Sequence, residues 1–339
     1  MNRASDYAGG AAGDIAIIGV GDFGGDVLGR LWFREEKRPI LIRVNWMDHL
    51  PEISGEMIHV CLDESFRGMV LGDPISAGKA TASVGPQIIG LLHGAAFVVL
   101  VAQPGDGVGS GGTTAMADAL KRARIPFLTL LVLPDCEAVG RKRHMTARST
   151  ISELCVMKET PVVFDQADFP GFTGAFHRAV TDKIQTLVDA LSPSMIPLDF
   201  NRIRNALTGS AANAVSTATV MGKTRAVEAA ELVLSDPAVE PFLGRPASVL
   251  LHLQSDESLS LFEIDEAANI IIENWGDDVD LTYGVGEGGC QPGELRMGMI
   301  VGEYIGDMDE MVETESESHD EIEVLMSEAF TRLRAGSGV

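Results

Sequence analysis

The sequence predicts an α/β protein with a parallel-sheet lobe, a connecting helix and a smaller α/β second lobe. Three observations carry this reading. Short apolar runs alternate with helically spaced segments through the first half, the order that builds a parallel sheet with helices on both faces. Two of these runs enter glycine-rich turns that open into helices. Beyond them, Phe176, Val180, Ile184, Leu187, Val188 and Leu191 keep helical spacing up to Pro193, which marks a long helix where the first lobe ends.

Taken in order, residues 1–13 are polar and expected to be disordered, and the first lobe spans 14–174. Ile15 to Ile18 reads as a strand, Gly19 to Gly25 as a turn, and Asp26 to Phe33 as the start of a helix. Further strands are expected at Ile40–Val44, Phe97–Ala102, Phe127–Leu133 and Pro161–Phe164. The run Ala95 to Ala102 feeds the second turn, Gly105-Asp106-Gly107-Val108-Gly109-Ser110-Gly111-Gly112, and Thr113 to Arg124 reads as its helix. Such turns hold phosphate, because exposed backbone N–H groups and the helix dipole face the anion. Ligands on such sheets sit at the carboxyl ends of the strands, and two glycine loops there imply two anchor points on one polyphosphate. A side chain at Gly109 is expected to block the approach of backbone to phosphate.

Residues 175–200 hold the connecting helix and the loop after it. The second lobe, 201–302, reads as helices near Asn201–Ser216 and Thr224–Ser235, an alternating strand at Ser248–Leu253, a helix at Phe262–Trp275, and strands near Val279–Val285 and Glu294–Val301.

Composition narrows the function classes. A formal charge of −23 on 339 residues opposes binding to a nucleic-acid backbone, whose affinity comes from displaced counterions, so no nucleic-acid partner is expected. The four cysteines, Cys61, Cys136, Cys155 and Cys290, have no CxxC spacing and read as reduced thiols, which suits a cytoplasmic setting. No apolar run reaches membrane-spanning length, so direct membrane insertion is not expected.

The stretch from Glu303 to Glu328 carries eleven acidic residues and no lysine or arginine. Ile322, Leu325, Met326, Ala329, Phe330 and Leu333 then share one helical face, with Ser318 and Glu321 at capping-box spacing. Residues 303–339 therefore read as an acidic tail with an amphipathic helix, docked either on its own chain or on a protein partner.

Together, the two glycine loops resemble the FtsZ/tubulin superfamily, in particular its prokaryotic FtsZ branch. Gly105 to Gly111 matches the family signature GGGTGTG without a gap, and Gly19 to Asp26 is similar to its first phosphate loop. Further matches follow in order: Val44-Asn45, Gly140-Arg141-Lys142-Arg143, Ile151-Ser152-Glu153-Leu154, Leu198-Asp199-Phe200, Thr224 to Ala230, and Gly293-Glu294-Leu295-Arg296. The resemblance covers about residues 14 to 302. It implies GTP/GDP with Mg²⁺ as cofactors, filament formation through longitudinal subunit contacts, and GTP hydrolysis. It places Gly21, Asp22, Phe23, Gly24, Gly25 and Asp26 at the nucleotide, the last three at the α- and β-phosphates, and Gly105, Asp106, Gly107, Val108, Gly109, Ser110 and Gly111 likewise, with Gly107 to Gly111 wrapping the outer phosphates. It also implies Arg143 as a nucleotide contact, Gln166 near the ribose or base, Phe176 stacked on guanine, and Thr181 or Asp182 as the base reader.

The chain departs from the family pattern at several points. Val139 replaces a ribose-holding glutamate, with Glu137 near enough to substitute. Asp22 and Asp106 put carboxylates in phosphate loops, where they repel the ligand unless Mg²⁺ or an outward rotamer compensates. In the loop that completes the family's active site, Pro197, Asp199 and Arg202 stand where the family carries Asn-x-Asp-x-x-Asp. Asp199 remains the one candidate acid, and Arg202 can stabilise phosphate charge but accept no proton. Hydrolysis is therefore expected to be slow or absent.

Two other readings compete. Gly19-x-Gly21-x-x-Gly24 is also the Rossmann fingerprint of a dinucleotide-dependent oxidoreductase, with Asp48 as the best ribose acid. The altered loop equally suits a non-polymerising scaffold in which nucleotide is structural.

Overall fold

The computed structural model describes residues 15–33, 39–46, 57–66, 72–157, 159, 161–168, 173–191, 213–245, 247–276, 279–287 and 290–303. The chain divides between Thr181 and Asp182 into two units, each with its own sheet.

In the first unit, β1 (Ile15–Val20), β2 (Ile40–Asn45), β3 (Ile58–Cys61), β4 (Phe97–Ala102), β5 (Phe127–Leu133) and β6 (Val162–Asp165) pair in the order β3-β2-β1-β4-β5-β6. Every neighbouring pair is parallel. All residues of β1, β4 and β5 are buried, as expected of central strands covered on both faces. The chain winds outward from β1 to β3, returns to β4 beside β1, and winds outward again. The switch point therefore lies between β1 and β4.

The helices are α1 (Gly21–Leu28), α2 (Pro74–Leu91), α3 (Thr113–Arg122), α4 (Cys136–Val139), α5 (Arg141–Val156) and α6 (Thr173–Leu191). The first of these corrects the sequence reading, since α1 starts five residues before Asp26 and has ended by Gly29. Close packing explains the shift: a Cβ on Gly24 would lie 2.4 Å from the Val101 carbonyl oxygen, so the first helical turn is pressed against the sheet. The second glycine loop is likewise wound, with a π-helical turn at Val108–Gly112 running directly into α3. Helix α2 was hidden by Gly78, Gly85, Pro86 and Gly90, which all disfavour helix. It forms because Asp73 caps it, accepting from the Ser76 N–H at 2.9 Å, and because Ala77, Ala80, Thr81, Gly85 and Ile88 are buried.

The second unit contains the end of α6, then β7 (Asn213–Met221), α7 (Arg225–Leu234), β8 (Ala247–Ser255), α8 (Leu261–Trp275), β9 (Val279–Glu287) and β10 (Glu294–Glu303). Its sheet has the order β7-β10-β8-β9, with β10 antiparallel to β7 and β8, and β8 parallel to β9. The helix expected near Asn201–Ser216 is therefore strand from Asn213 onward. The alternation Val215, Thr217, Thr219 of β-branched residues wins over the helix-forming Ala214 and Ala218. Residues 201–212 lie outside the described residues.

One sheet face packs Val249, Leu251, Leu253, Val285, Met297, Met299 and Val301 into the same core as Ala226, Val233, Ile264 and Ile271 of α7 and α8. Gly298 pairs with both Thr217 and His252. A Cβ on Gly298 would lie 1.8 Å from Thr186 Cγ2, and the Thr186 hydroxyl donates to Thr217 Oγ1 at 3.0 Å. Helix α6 thus approaches this sheet at the distance only glycine allows.

Candidate functional site

Strands β1 and β4 are paired through Val20 and Ala102, so the two glycine loops leave the sheet at one level on either side of the switch point. They meet. Gly21 has φ +75°, a backbone conformation that favours glycine, and a Cβ there would lie 3.3 Å from the Gly109 nitrogen. The N-cap residue of α1 is Val20, which offers no capping side chain, whereas Asp73 caps α2 and a Ser260–Glu263 capping box opens α8. A helix start whose N-cap residue supplies no acceptor is an arrangement that favours an anion.

The other glycines of both loops serve packing. A Cβ on Gly19 would meet the Gly24 carbonyl oxygen at 2.5 Å, and one on Gly111 the Pro74 carbonyl oxygen at 1.8 Å. Gly107 abuts Gly72 at 2.9 Å by the same measure. At Gly109 the obstacle is the Gln103 carbonyl oxygen, 2.1 Å away. Packing of the loop on itself is thus a second reason for glycine there, beside the expected access of backbone to phosphate.

The carboxylates in the loops are both engaged. Asn45 Nδ2 donates to Asp22 Oδ1 at 2.7 Å, which ties the first loop to the end of β2. Asp26 faces Arg43 Nη2 at 3.5 Å. The Arg43 side chain is buried and crosses Gly25 so closely that a Cβ there would lie 2.1 Å from Nε. In the second loop, Asp106 Oδ1 accepts the Gly109 N–H at 2.7 Å, and Asp106 Oδ2 lies 3.6 Å from Arg143 Nη2. The Ser110 hydroxyl accepts the Gly105 N–H at 2.8 Å, and Thr113 Oγ1 donates to the Gly109 carbonyl at 2.7 Å. Gly105 itself has φ +126°.

The remaining candidates fall around this pair of loops or apart from it. Arg143 lies in the first turn of α5 and is exposed. Gln166 follows β6, and its Oε1 accepts the Asp135 N–H at 3.4 Å, next to α4. Val139 ends α4 half-buried, while Glu137 is exposed. Phe176 is buried and packs on Phe23 of the first loop, ring centroids 6.4 Å apart at 35°. In α6, Thr181 is buried and Asp182 exposed. Asp199 and Arg202, with Pro197, lie outside the described residues.

Sequence reasoning missed the contribution of Arg43 and the brace that α2 provides through Gly78, whose Cβ would lie 3.1 Å from the Gly111 carbonyl oxygen. The Asp73-Pro74 pair, an N-cap followed by proline at the first helical position, was the available signal for that helix.

No protein-family model matches the chain. Its architecture does match solved structures. An FtsZ dimer from M. jannaschii superposes with a TM-score of 0.76 at 17% identity, covering 85% of this chain and 88% of that one. The chain has the FtsZ/tubulin fold. Two further structures with this fold come from Haloferax volcanii. CetZ2, as a GTPγS-bound protofilament, gives a TM-score of 0.66 at 18% identity over 96% of this chain and 100% of its own. CetZ1, as a GDP-bound monomer, gives 0.66 at 19% identity over 93% and 99%. In this FtsZ-like fold the described helices include none long and apolar enough to cross a membrane.

Proposed function

We propose that the paired loops bind a guanine nucleotide and that the chain self-associates as an FtsZ-like cytoskeletal protein, with slow or absent hydrolysis. The observation that carries the reading is the contact between Gly21 and Gly109 at the switch point, which presents an uncapped helix end and a second glycine loop to one ligand. Supporting it, the fold is shared with structures described as GTPγS-bound and GDP-bound, one of them a protofilament.

The donor chemistry suits Mg²⁺ as a companion of phosphate. Magnesium is held by one or two carboxylates together with phosphate oxygens, and such acids stand in both loops, Asp22 and Asp26 in the first and Asp106 in the second. Among the described residues no three His, Cys, Asp or Glu side chains converge, so the ion would arrive with the nucleotide. Its chemistry there is charge neutralisation between the phosphates.

The strand order β3-β2-β1-β4-β5-β6 is also that of a dinucleotide-binding Rossmann sheet, which keeps the oxidoreductase reading as the rival. Calorimetry with GTP, GDP, ATP and NAD separates the two. Preference for GTP and GDP supports the proposal, and equal or better binding of ATP or NAD overturns it. Sedimentation with and without GTP then separates a filament-forming protein from a non-polymerising scaffold.

A further inference from the structure

We propose that Asp106 is a resident anion in the phosphate loop, holding donors that a bound polyphosphate needs and thereby setting the affinity of the site. This rests on the nucleotide-binding reading of the paired loops. The geometry is specific. One Asp106 oxygen accepts the Gly109 N–H at 2.7 Å, the other faces Arg143 Nη2 at 3.6 Å. Gly109 abuts the first loop, its nitrogen 3.3 Å from the position of a Cβ on Gly21. Arg143 is a cation at the mouth of the same loop, since the Gly105 Cβ position lies 3.1 Å from the Arg143 carbonyl oxygen. A single carboxylate therefore engages a backbone donor and a guanidinium at the point where the two loops converge.

A carboxylate in this place imitates a phosphate oxygen, because both are anionic acceptors that bind backbone N–H groups and arginine. Ligand phosphate must displace it. The side chains of Asp106 and Arg143 are 38% and 54% exposed, so the carboxylate has water to swing into and an incoming anion can reach the guanidinium. Even when displaced, Asp106 leaves a negative charge beside the polyphosphate, which weakens binding further. Loop closure does not depend on the carboxylate alone, since the Ser110 hydroxyl and the Thr113 hydroxyl brace the same turn.

The test compares wild type, Asp106→Asn and Asp106→Ala by calorimetry in Mg²⁺-free buffer, with inorganic tripolyphosphate and with GTP as probes. Asparagine keeps an acceptor for Gly109 and loses only the charge. Both variants are expected to bind tripolyphosphate about 10- to 100-fold more tightly than wild type, the range for releasing a charged hydrogen-bonding group. Affinity in Asp106→Asn equal to or weaker than wild type, with an unchanged melting temperature, overturns the proposal and assigns Asp106 to bracing the loop. If neither probe binds any of the three proteins, this proposal and the nucleotide reading both fall. If tripolyphosphate binding tightens but GTP is not preferred to ATP, the guanine assignment alone falls.

Discussion

Lys183 Nζ sits 2.5 Å from Asp236 Oδ2 and donates to the Val215 carbonyl at 2.7 Å, with the lysine side chain only 5% exposed. A buried ammonium between these partners joins α6 to β7 and to the end of α7. Replacing Lys183 with Met leaves Asp236 in a largely buried position without its cation. The expected cost is about 3 kcal/mol, the low end for breaking a buried pair, because the Ala238 N–H still donates to Asp236. Urea unfolding measures it, and the double variant Lys183→Met/Asp236→Asn is expected to recover more than half.

The His252 imidazole is buried on β8, and that burial, with the Arg296 guanidinium nearby, pushes its pKa down from 6.5 to about 4. Above pH 6.5 the imidazole is neutral in the folded and unfolded chain alike. As pH falls from there towards 4, the unfolded chain takes up the proton first and the fold loses stability, by about 3 kcal/mol at most. Urea midpoints at pH 7 and pH 4.5 give the slope. In His252→Leu that part of the slope is expected to vanish.

Gly109→Ala is expected to destabilise the ligand-free protein, by roughly 1–3 kcal/mol for forcing a methyl group into filled space. Its Cβ meets a backbone carbonyl at 2.1 Å, which no side-chain rotation relieves. A lowered melting temperature without any nucleotide checks this. An unchanged one removes the packing role and leaves only the access of backbone to phosphate.

Turnover is expected to be low even where GTP binds, because Arg202 stands where a water-orienting acid is expected. Losing such a group typically costs about 10²- to 10⁴-fold in rate. Arg202→Asp is expected to raise phosphate release. No change in that variant removes the segment around residue 202 from the active site.

Deleting residues 303–339 is expected to change the oligomeric state at low salt, where the eleven carboxylates from Glu303 to Glu328 repel most strongly. Light scattering at low and high salt, with and without nucleotide, reads the outcome. Identical mass distributions for the intact and truncated proteins would end the idea of a regulatory tail.

The central strands of the first sheet were legible because buried parallel strands are uninterrupted apolar runs, whereas the short edge strand β3 went unseen and β7 was read as helix. Phe97–Ala102 and Phe127–Leu133 were placed to the residue. Helix α6 was legible from its apolar spacing alone. What escaped was backbone fitted to backbone, as where Gly24 sits under Val101 and Gly111 under Pro74, since a glycine in sequence does not say which neighbour needs the room. The same blindness turned the first helical turn of α1 into a loop. At the site, the presence of Asp106 was visible as an anomaly. Its partner Gly109 was not, because an aspartate within a glycine-rich stretch does not say which of the following N–H groups it will accept.

The pairing of Gly298 with Thr186 bears on how such a chain can drift. A methyl at 298 would overlap Thr186 Cγ2, so a lineage that acquires alanine there is expected to have first lost that methyl by changing residue 186 to serine, alanine or glycine. Serine would keep the hydroxyl that reaches Thr217, and alanine or glycine would lose it. The order of substitutions is thus constrained, and in related sequences positions 186 and 298 should change as a pair, with small side chains alternating between them.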